Sequence, residues 1–357
     1  MVAMTDMPGR TRPRSRLDRA RQLHLLLAAF LALVALASLN VGATGFSLLD
    51  VLAKVLRGEA LSRTEAVVLW DIRLPRLAMG LVVGAALATS GAVMQGLFRN
   101  PLADPGIVGV TSGGMLGAIL AIVLGGALPS SLLALTGGYL VPCAAFLGSW
   151  ATTILLYRVS TRAGRTSVAT MLLAGIAFTA LAGALAGVLI YKADDQQLRD
   201  LTFWNMGSLA GASWAKLATA APIILTAIAG ALFLGRGLNG LALGEATAHH
   251  IGIPVQRMKN GAILAVAAAS GAAVAVSGGI GFVGIVVPHL LRLITGPDHR
   301  ALLLNSALLG AALLVAADMI ARVVIVPAEL PIGIVTAVLG APVFLWILLR
   351  QRGVVDL

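Results

Sequence analysis

The chain has 357 residues, of which 59% are hydrophobic and 11% are charged. Soluble domains carry about 25% charged residues, so this composition argues against a soluble protein and indicates a polytopic membrane protein. The 41 glycines and the aromatic content of 5% favour close helix–helix packing over a β-barrel with aromatic girdles. The formal net charge of +11 falls mostly in short loops, which indicates membrane topology and not nucleic-acid binding. The single cysteine, Cys143, excludes an internal disulfide framework.

The first 22 residues are rich in arginine and lead directly into a full-length apolar segment. No small-residue cleavage site follows them, so the pattern is not that of a cleaved signal peptide. Because basic residues are retained on the cytoplasmic side of a membrane, residues 1–22 are predicted to form a cytoplasmic tail. Residues 23–349 are predicted to form the membrane domain, and residues 350–357 a second cytoplasmic tail.

Ten apolar runs follow along the chain, and a helix crosses a bilayer with about 20 residues at about 1.5 Å per residue. The predicted spans are Leu23–Val41, Leu77–Phe98, Ile107–Leu124, Leu133–Tyr157, Val168–Tyr191, Leu217–Leu234, Ala262–Ser277, Phe282–Ile294, Leu302–Val326 and Ile332–Leu349. The eighth is short and contains Pro288, which predicts a bent or partly re-entrant segment. The stretches 42–71 and 192–213 are predicted to be polar connections. Ten spans place both termini on the same side, and the basic loops assign that side to the cytoplasm.

Glycines recur in several predicted spans, among them the second and the fifth. The second span carries Gly80, Gly84, Gly91 and Gly96, which leave one side nearly bare. Such a helix either packs closely against a neighbour or lines a path. In the fifth span, Gly183 and Gly187 have the spacing of a tight helix contact. The second span ends at the proline-containing segment 99–106, which cannot continue a helix.

Motifs for nucleotide and metal chemistry are not found. No Gly-x-x-x-x-Gly-Lys-Ser/Thr sequence occurs, so ATP, if it drives the protein, is predicted to bind a separate subunit. His249 and His250 are adjacent and point to different sides of a helix, so we do not expect a shared metal. The pair Asp194-Asp195 has no second acidic cluster opposite it. We therefore predict no catalytic residue, no metal site and no permanently bound cofactor.

Five segments carry a family resemblance. They read RLPR (73–76), SGAVMQGLFRNPLADPGIVGV (90–110), ALGEATAHHIGIPV (242–255), GGIGFVGIVVPHLLR (278–292) and AELPIGIVTAVLGAPVFLWIL (328–348). In this order they resemble the permease subunits of the bacterial ABC importers for iron–siderophores, haem and vitamin B12, over about Leu69–Leu349. The resemblance implies an all-α inner-membrane permease that works as a homodimer with a central path. It also implies that the partners are two ATPase subunits and a periplasmic binding protein. The implied mechanism is alternating access.

Three arginines are assigned to the end of the bundle opposite the ATPase. By the resemblance, Arg73, Arg76 and Arg322 bind acidic residues of the periplasmic binding protein. The residues alone leave two other interpretations open. Arginines near span ends commonly snorkel to the interface, and Asp318 precedes Arg322 by four residues and can pair with it along the helix.

The loop 235–259 is the candidate coupling element. Gly244 and Gly252 frame a short predicted helix, Glu245–Ile251, and helix-in-groove docking suits its size. The resemblance assigns this loop to the ATPase contact, while the residues alone also allow an ordinary surface helix. The residues assigned to the contact are Gly244, Glu245, Ala246, His249, His250, Ile251 and Gly252.

The start of the fifth span resembles the cytoplasmic gate of the family. Val168 and Ala169 at these positions are apolar, which predicts closure by a hydrophobic constriction. Arg199, after the fifth span, lies near the predicted external mouth and suits an anionic group such as a haem propionate. Pairing with Asp195 or Asp200 is the alternative for Arg199.

The expected function is import of haem, or a related iron chelate, as the permease subunit of an ATP-driven importer. Ferric siderophore and vitamin B12 are the alternative substrates within the family. Two other classes are considered. An ion-coupled secondary transporter needs carboxylates at mid-membrane, and the main candidate, Asp318, sits near a helix end. A polytopic membrane enzyme needs a catalytic cluster at one face, and the sequence offers none. Co-purification of an ATPase subunit would distinguish the ATP-driven importer from both the ion-coupled transporter and the membrane enzyme.

Overall fold

The computed structural model describes residues 16–42, 47–162 and 165–355. The helices are Arg16–Asn40 (α1), Leu48–Leu56 (α2), Arg63–Ala66 (α3), Leu74–Phe98 (α4), Val110–Leu124 (α5), Ser130–Thr136 (α6), Leu140–Ser160 (α7), Val168–Lys192 (α8), Asp195–Met206 (α9), Trp214–Phe233 (α10), Gly235–Ala242 (α11), Glu245–His250 (α12), Val255–Ser277 (α13), Val283–Thr295 (α14), His299–Val323 (α15) and Ile332–Val355 (α16). A short antiparallel pair, Thr161–Arg162 (β1) with Arg165–Thr166 (β2), lies between α7 and α8.

Eight helices of the described residues are long and apolar enough to cross a membrane. Two shorter apolar helices, Val283–Thr295 and Ile332–Ile347, account for the eighth and tenth predicted spans. Each of the ten predicted runs therefore overlaps a helix over most of its length, and the all-α class of polytopic membrane protein is confirmed. The basic segment 1–15 lies outside the described residues, so the predicted N-terminal tail is described only from residue 16.

The connection predicted over 42–71 is largely helical. Ser47 caps α2, and Ser62 with Glu65 forms a reciprocal capping box at the start of α3. From there a π-helical segment, Val67–Arg73, runs into α4, so that one apolar helical unit covers Arg63–Phe98. The prediction was wrong because charges of both signs in this stretch belong to helix caps and exposed helix faces. Similarly, α9 fills much of the predicted connection 192–213, with Asp194 and Gln197 as its capping box.

Helix α4 lies at the centre of the bundle and packs against α15, α14, α13 and α10. A Cβ atom added at Gly84 would lie 2.4 Å from the carbonyl oxygen of Gly310, and one at Gly91 would lie 2.0 Å from that of Gly284. At these distances only glycine allows the backbones to meet. The glycine face of α4 was expected either to pack closely or to line a path. In the structure it packs closely against α15 and α14.

Helix α8 differs from α4 because much of its surface is exposed within the subunit. A Cβ atom at Gly183 or Gly187 would meet no described atom within 4 Å. The tight contact predicted for this glycine pair is therefore not made within the described part of the subunit.

Candidate functional site

The three predicted arginines lie together at one end of the bundle, which we call the arginine end. Arg73, Arg76 and Arg322 are 5%, 7% and 7% exposed, and Asp318 between them is 2% exposed. The guanidinium group of Arg76 donates to both carboxylate oxygens of Asp318 over 2.9–3.1 Å, and Nη2 of Arg322 lies 3.1 Å from Asp318. The internal pairing that the i, i+4 spacing allowed is thus formed, and Asp318 serves two arginines at once.

A second carboxylate completes the group. Glu329 accepts two hydrogen bonds of 2.9 Å from Nη1 of Arg76, and its side chain is 40% exposed. Glu329 was not among the predicted site residues, although it stands in the AELP segment, because its partner is 253 residues away in the sequence. We call Arg73, Arg76, Arg322, Asp318 and Glu329 the arginine cluster. Glu329 is the member that reaches solvent most.

The arginine cluster also anchors the end of α1. Arg322 donates to the carbonyl oxygens of Ser38 and Val41 over 3.2 and 2.9 Å and to the hydroxyl oxygen of Ser38 over 2.6 Å. Arg73 donates to the carbonyl oxygen of Leu39. The last carbonyl groups of a helix have no partner within it, so the guanidinium groups satisfy them. Burial of these charges is tolerable because Arg76 and Arg322 are paired with carboxylates and all three guanidinium groups donate hydrogen bonds.

The opposite end of α15 lies beside the predicted coupling loop. Helix α12 covers Glu245–His250 and Ile251 caps it, so the predicted helix Glu245–Ile251 is confirmed to within one residue. Gly244 and Gly252 have φ angles of 102° and 85°, which L side chains rarely adopt. The two glycines therefore delimit the helix as the spacing predicted.

The outward surface of α12 is open. Ile251 is 59% exposed and Leu243 is 66% exposed, and the residues His249 and His250 are exposed as well. Ala248 faces the bundle and is fully buried. An exposed apolar pair that flanks a short, well-delimited helix is the kind of surface that a partner groove covers.

The coupling loop is fastened to the membrane helices by polar contacts. Nζ of Lys259 lies 2.7 Å from Oε1 of Glu245, and the side chain of Lys259, at the start of α13, is only 3% exposed. On α11, Asn239 donates to Asp298 over 2.7 Å and accepts from the backbone N–H of His299 over 2.9 Å. These contacts join α12 to α13 and α11 to α15.

Asp298 is held in its charged form. Burial by itself would raise the pKa of this carboxyl group. The hydrogen bonds from Asn239 and from the backbone of Arg300, together with the Arg300 charge, outweigh burial and lower the pKa below its usual value. A carboxylate that stays ionised gives Asn239 a strong acceptor at neutral pH. Lys259, Asn239 and Asp298 were not predicted as site residues, because their pairing depends on how α11 and α12 fold back.

The predicted gate residues lie at the start of α8. Val168 is the first residue of that helix, and its side chain lies outside the described parts. Ala169 is exposed. The preceding strand β2 reaches a cavity of about 170 Å³ that Thr166 lines together with Glu245 and Lys259. The start of α8 therefore lies at the same end of the bundle as the coupling loop.

Arg199 lies on α9 and is exposed. Within the described chain it forms no ion pair with Asp195 or Asp200, the alternative that the sequence left open. The α9 region is at the arginine end, since Trp214 at the start of α10 donates its indole N–H to the carbonyl oxygen of Trp70 over 2.7 Å. In the described residues no group of three or more His, Cys, Asp or Glu side chains is placed to hold a metal ion.

Comparison with known proteins gives concordant results. The model of the FecCD transport family matches residues 30–350. The chain is 46% identical over 346 residues to the hemin transport system permease protein HmuU of Yersinia pestis, covering 97% of this chain and 98% of that one. It is 45% identical over 291 residues to the cobalamin import system permease protein BtuC of Halobacterium salinarum, covering 82% and 75%.

Among solved structures, the chain is similar to an inward-facing conformation of a putative metal-chelate type ABC transporter. The TM-score is 0.80 at 33% identity, and the match covers 92% of this chain and 99% of that one. These matches confirm the resemblance seen in the sequence: the chain belongs to the FecCD transport family and is a multi-pass permease subunit of an ABC importer.

Proposed function

We propose that this permease imports haem, or a closely related iron chelate, from the periplasm to the cytoplasm. The observation that carries the substrate is the near full-length identity of 46% to a hemin permease. Vitamin B12 is the second candidate, because the B12 permeases are 42–45% identical over about four fifths or more of the chain. Family membership argues against the other classes considered, since its members are permeases of ABC importers.

The proposed assembly is two copies of the permease in the inner membrane, two ATPase subunits and one periplasmic binding protein. Both termini of each permease lie in the cytoplasm. A second copy has a suitable surface on α8, where Gly183 and Gly187 face open space. Glycines four residues apart allow helices to approach closely in a membrane. Ala169 and Arg199, at opposite ends of this region, would then line the central path.

The ATPase subunits are proposed to contact α12. Ile251 and Leu243 supply apolar contact area. The contact of Glu245 with Lys259 transmits a push on this helix into α13, and the contact of Asn239 with Asp298 passes it through the adjoining α11 into α15. ATP binding and hydrolysis by the partner subunits then drive alternating access, with the apolar side chains at the start of α8 closing the path. The permease itself supplies no nucleotide site.

The binding protein is proposed to dock on the arginine cluster. Its acidic residues would meet guanidinium groups that the subunit already pairs internally, so docking requires exchange of carboxylates. Glu329 is the one best placed to leave, because its side chain is 40% exposed whereas that of Asp318 is 3% exposed. Arg76 keeps Asp318 while a carboxylate of the binding protein takes the place of Glu329.

The substrate assignment is tested by transport. The permease, its ATPase subunits and its binding protein are reconstituted in liposomes, and ATP-dependent uptake of haem, cobalamin and a ferric siderophore is measured. We expect haem uptake at the highest rate and none without the ATPase subunits. Preferred uptake of cobalamin would transfer the assignment to the second candidate, and uptake driven by an ion gradient without ATPase subunits would contradict the importer mechanism.

A further inference from the structure

A cavity of about 500 Å³ lies at the arginine end, between α9, α10 and α13. Its lining includes two charged side chains, Asp200 of α9 and Lys216 of α10, and two aromatic ones, Phe203 and Trp204. Lys216 donates one hydrogen bond of 2.9 Å to the carbonyl oxygen of Gly211. An ammonium group has three N–H donors, so among the described residues two remain for a ligand in the cavity.

An apolar groove continues from this cavity along the bundle. It has a volume of about 290 Å³ and lies between α7, α10 and α13, where Cys143, Phe146 and Ile223 line it. Pro142, Ala275 and Val276 line both the cavity and the groove, so the two spaces meet at these residues. One end of the combined space is charged, and the other end is hydrocarbon in character.

We infer that this space binds one phospholipid, with an acyl chain in the groove and the headgroup in the cavity. The headgroup charges match those of the cavity: the phosphate accepts from Lys216, and the ammonium group of phosphatidylethanolamine meets the Asp200 carboxylate. Tryptophan is enriched at the level of lipid headgroups, and Trp204 lines the cavity that the headgroup would occupy. A space with one charged end and one apolar end fits an amphiphile. Free phosphate would leave the apolar groove empty, and a peptide that is wholly polar or wholly apolar would fit only one end.

A second groove supplies the internal control. It has a volume of about 200 Å³ and lies between α14, α15 and α16. Its lining is mostly apolar, with Phe282, Val286 and Leu313, and contains no charged residue among those described. A lipid chain there has no headgroup contact to retain it. We therefore expect this groove to exchange its lipid freely.

The first experiment measures retained lipid. The full chain, with its ATPase subunits, is placed in nanodiscs of equal parts phosphatidylethanolamine and phosphatidylglycerol, released gently and weighed by native mass spectrometry. One phosphatidylethanolamine per permease chain is expected. Lys216→Ala should lower the retained fraction about tenfold, as loss of a charge-assisted hydrogen bond would do. Lys192→Ala, which removes another lysine at the arginine end that does not line the cavity, should leave it unchanged.

Variants of the groove test its apolar part. Val276→Phe should displace the lipid by filling the junction of cavity and groove, whereas Val286→Phe in the second groove should not. ATPase activity of each purified complex verifies folding. Asp200→Asn should remove the preference for phosphatidylethanolamine over phosphatidylglycerol. Retention that is the same in Lys216→Ala and Val276→Phe as in the unmodified chain, or that favours phosphatidylglycerol, would overturn the assignment.

The single cysteine gives an independent measurement in native membranes. Cys143 lines the groove, so a resident lipid should slow its reaction with a membrane-permeant maleimide. Lys216→Ala should accelerate that reaction, and Lys192→Ala should not. If instead Cys143 residues of two copies form a disulfide under mild oxidation, a second copy covers the groove and the lipid site is wrong.

Discussion

The two ends of α15 have different surroundings. The end at Arg322 lies in the buried arginine cluster, whereas the end at His299 is hydrogen-bonded to Asn239 of the exposed coupling loop. The arginine cluster is satisfied within the subunit, with three guanidinium groups, two carboxylates and the last carbonyl groups of α1. The coupling loop instead presents Ile251 and Leu243 to its surroundings. A partner at the coupling loop can simply add contacts, but a partner at the arginine cluster must exchange them. The comparison can be tested from both ends.

The largest expected effect is on stability. Asp318→Asn removes the charge that Arg76 and Arg322 share at 2.9 and 3.1 Å. Breaking a buried ion pair on one side costs about 3–5 kcal/mol because it leaves charge uncompensated. We expect a clear drop in the thermal midpoint of the purified permease. Asp195→Asn, at an exposed helix start, is the matched control. Equal midpoints for the two variants would mean that the arginine cluster does not hold α1, α4 and α15 together.

The next largest effect is on ATPase binding. Ile251→Glu places a carboxylate at the exposed apolar C-cap of α12 and should weaken ATPase binding at least tenfold, about 1.4 kcal/mol or more. Leu56→Glu makes the same change at a residue that is 86% exposed at the arginine end and should leave binding unchanged. The measurement is recovery of ATPase subunits with tagged permease at several concentrations. Equal recovery for both variants would remove α12 from the interface.

A smaller effect is expected at the contact beneath α12. Lys259→Met removes the ammonium group that lies 2.7 Å from Glu245 but leaves the outward face of α12 in place. ATPase subunits should still bind, while the amount of substrate transported per ATP hydrolysed falls several-fold. Lys192→Met is the control, and Glu245→Gln combined with Lys259→Met should recover part of the loss, because both partners are then uncharged. A loss of ATPase binding equal to that of Ile251→Glu would contradict the separation of contact and transmission.

The same contrast explains what the sequence could predict. The membrane spans could be predicted because a membrane helix needs a long apolar run. Helix α12 could be predicted because Gly244 and Gly252, which adopt positive φ angles, mark its two ends. The grouping of Arg73, Arg76 and Arg322 followed from the family resemblance. The pairing of Arg76 with Glu329 was not readable, because it joins residues 253 positions apart. For Lys259 and Glu245 the pairing depends on the path of the intervening loop, and periodicity carries no information about that path.

The smallest expected effect is on the rate of docking. Glu329→Gln removes one negative charge from the arginine cluster, and Arg76 retains Asp318. Because Glu329 is partly exposed, its pair with Arg76 contributes at most about 1 kcal/mol to stability, so the variant should fold normally.

Association of the binding protein should become faster by a few fold at low salt, since the internal carboxylate no longer competes and the surface is more positive. Added salt should reduce the gain, because the screening length is about 8 Å at physiological ionic strength. Stopped-flow or surface-based kinetics over a salt series gives the measurement.

Glu59→Gln is the matched control for this prediction. It changes the same charge on a side chain that is 50% exposed and paired with Arg57 at 3.5 Å, in the segment that joins the end of α1 to α4 at the arginine end. Glu59 makes no contact with the arginine cluster among the described residues. If both variants accelerate association equally, the gain comes from overall charge and the binding protein docks elsewhere. If only Glu329→Gln accelerates it, the exposed carboxylate of the arginine cluster is the one that a docking partner replaces.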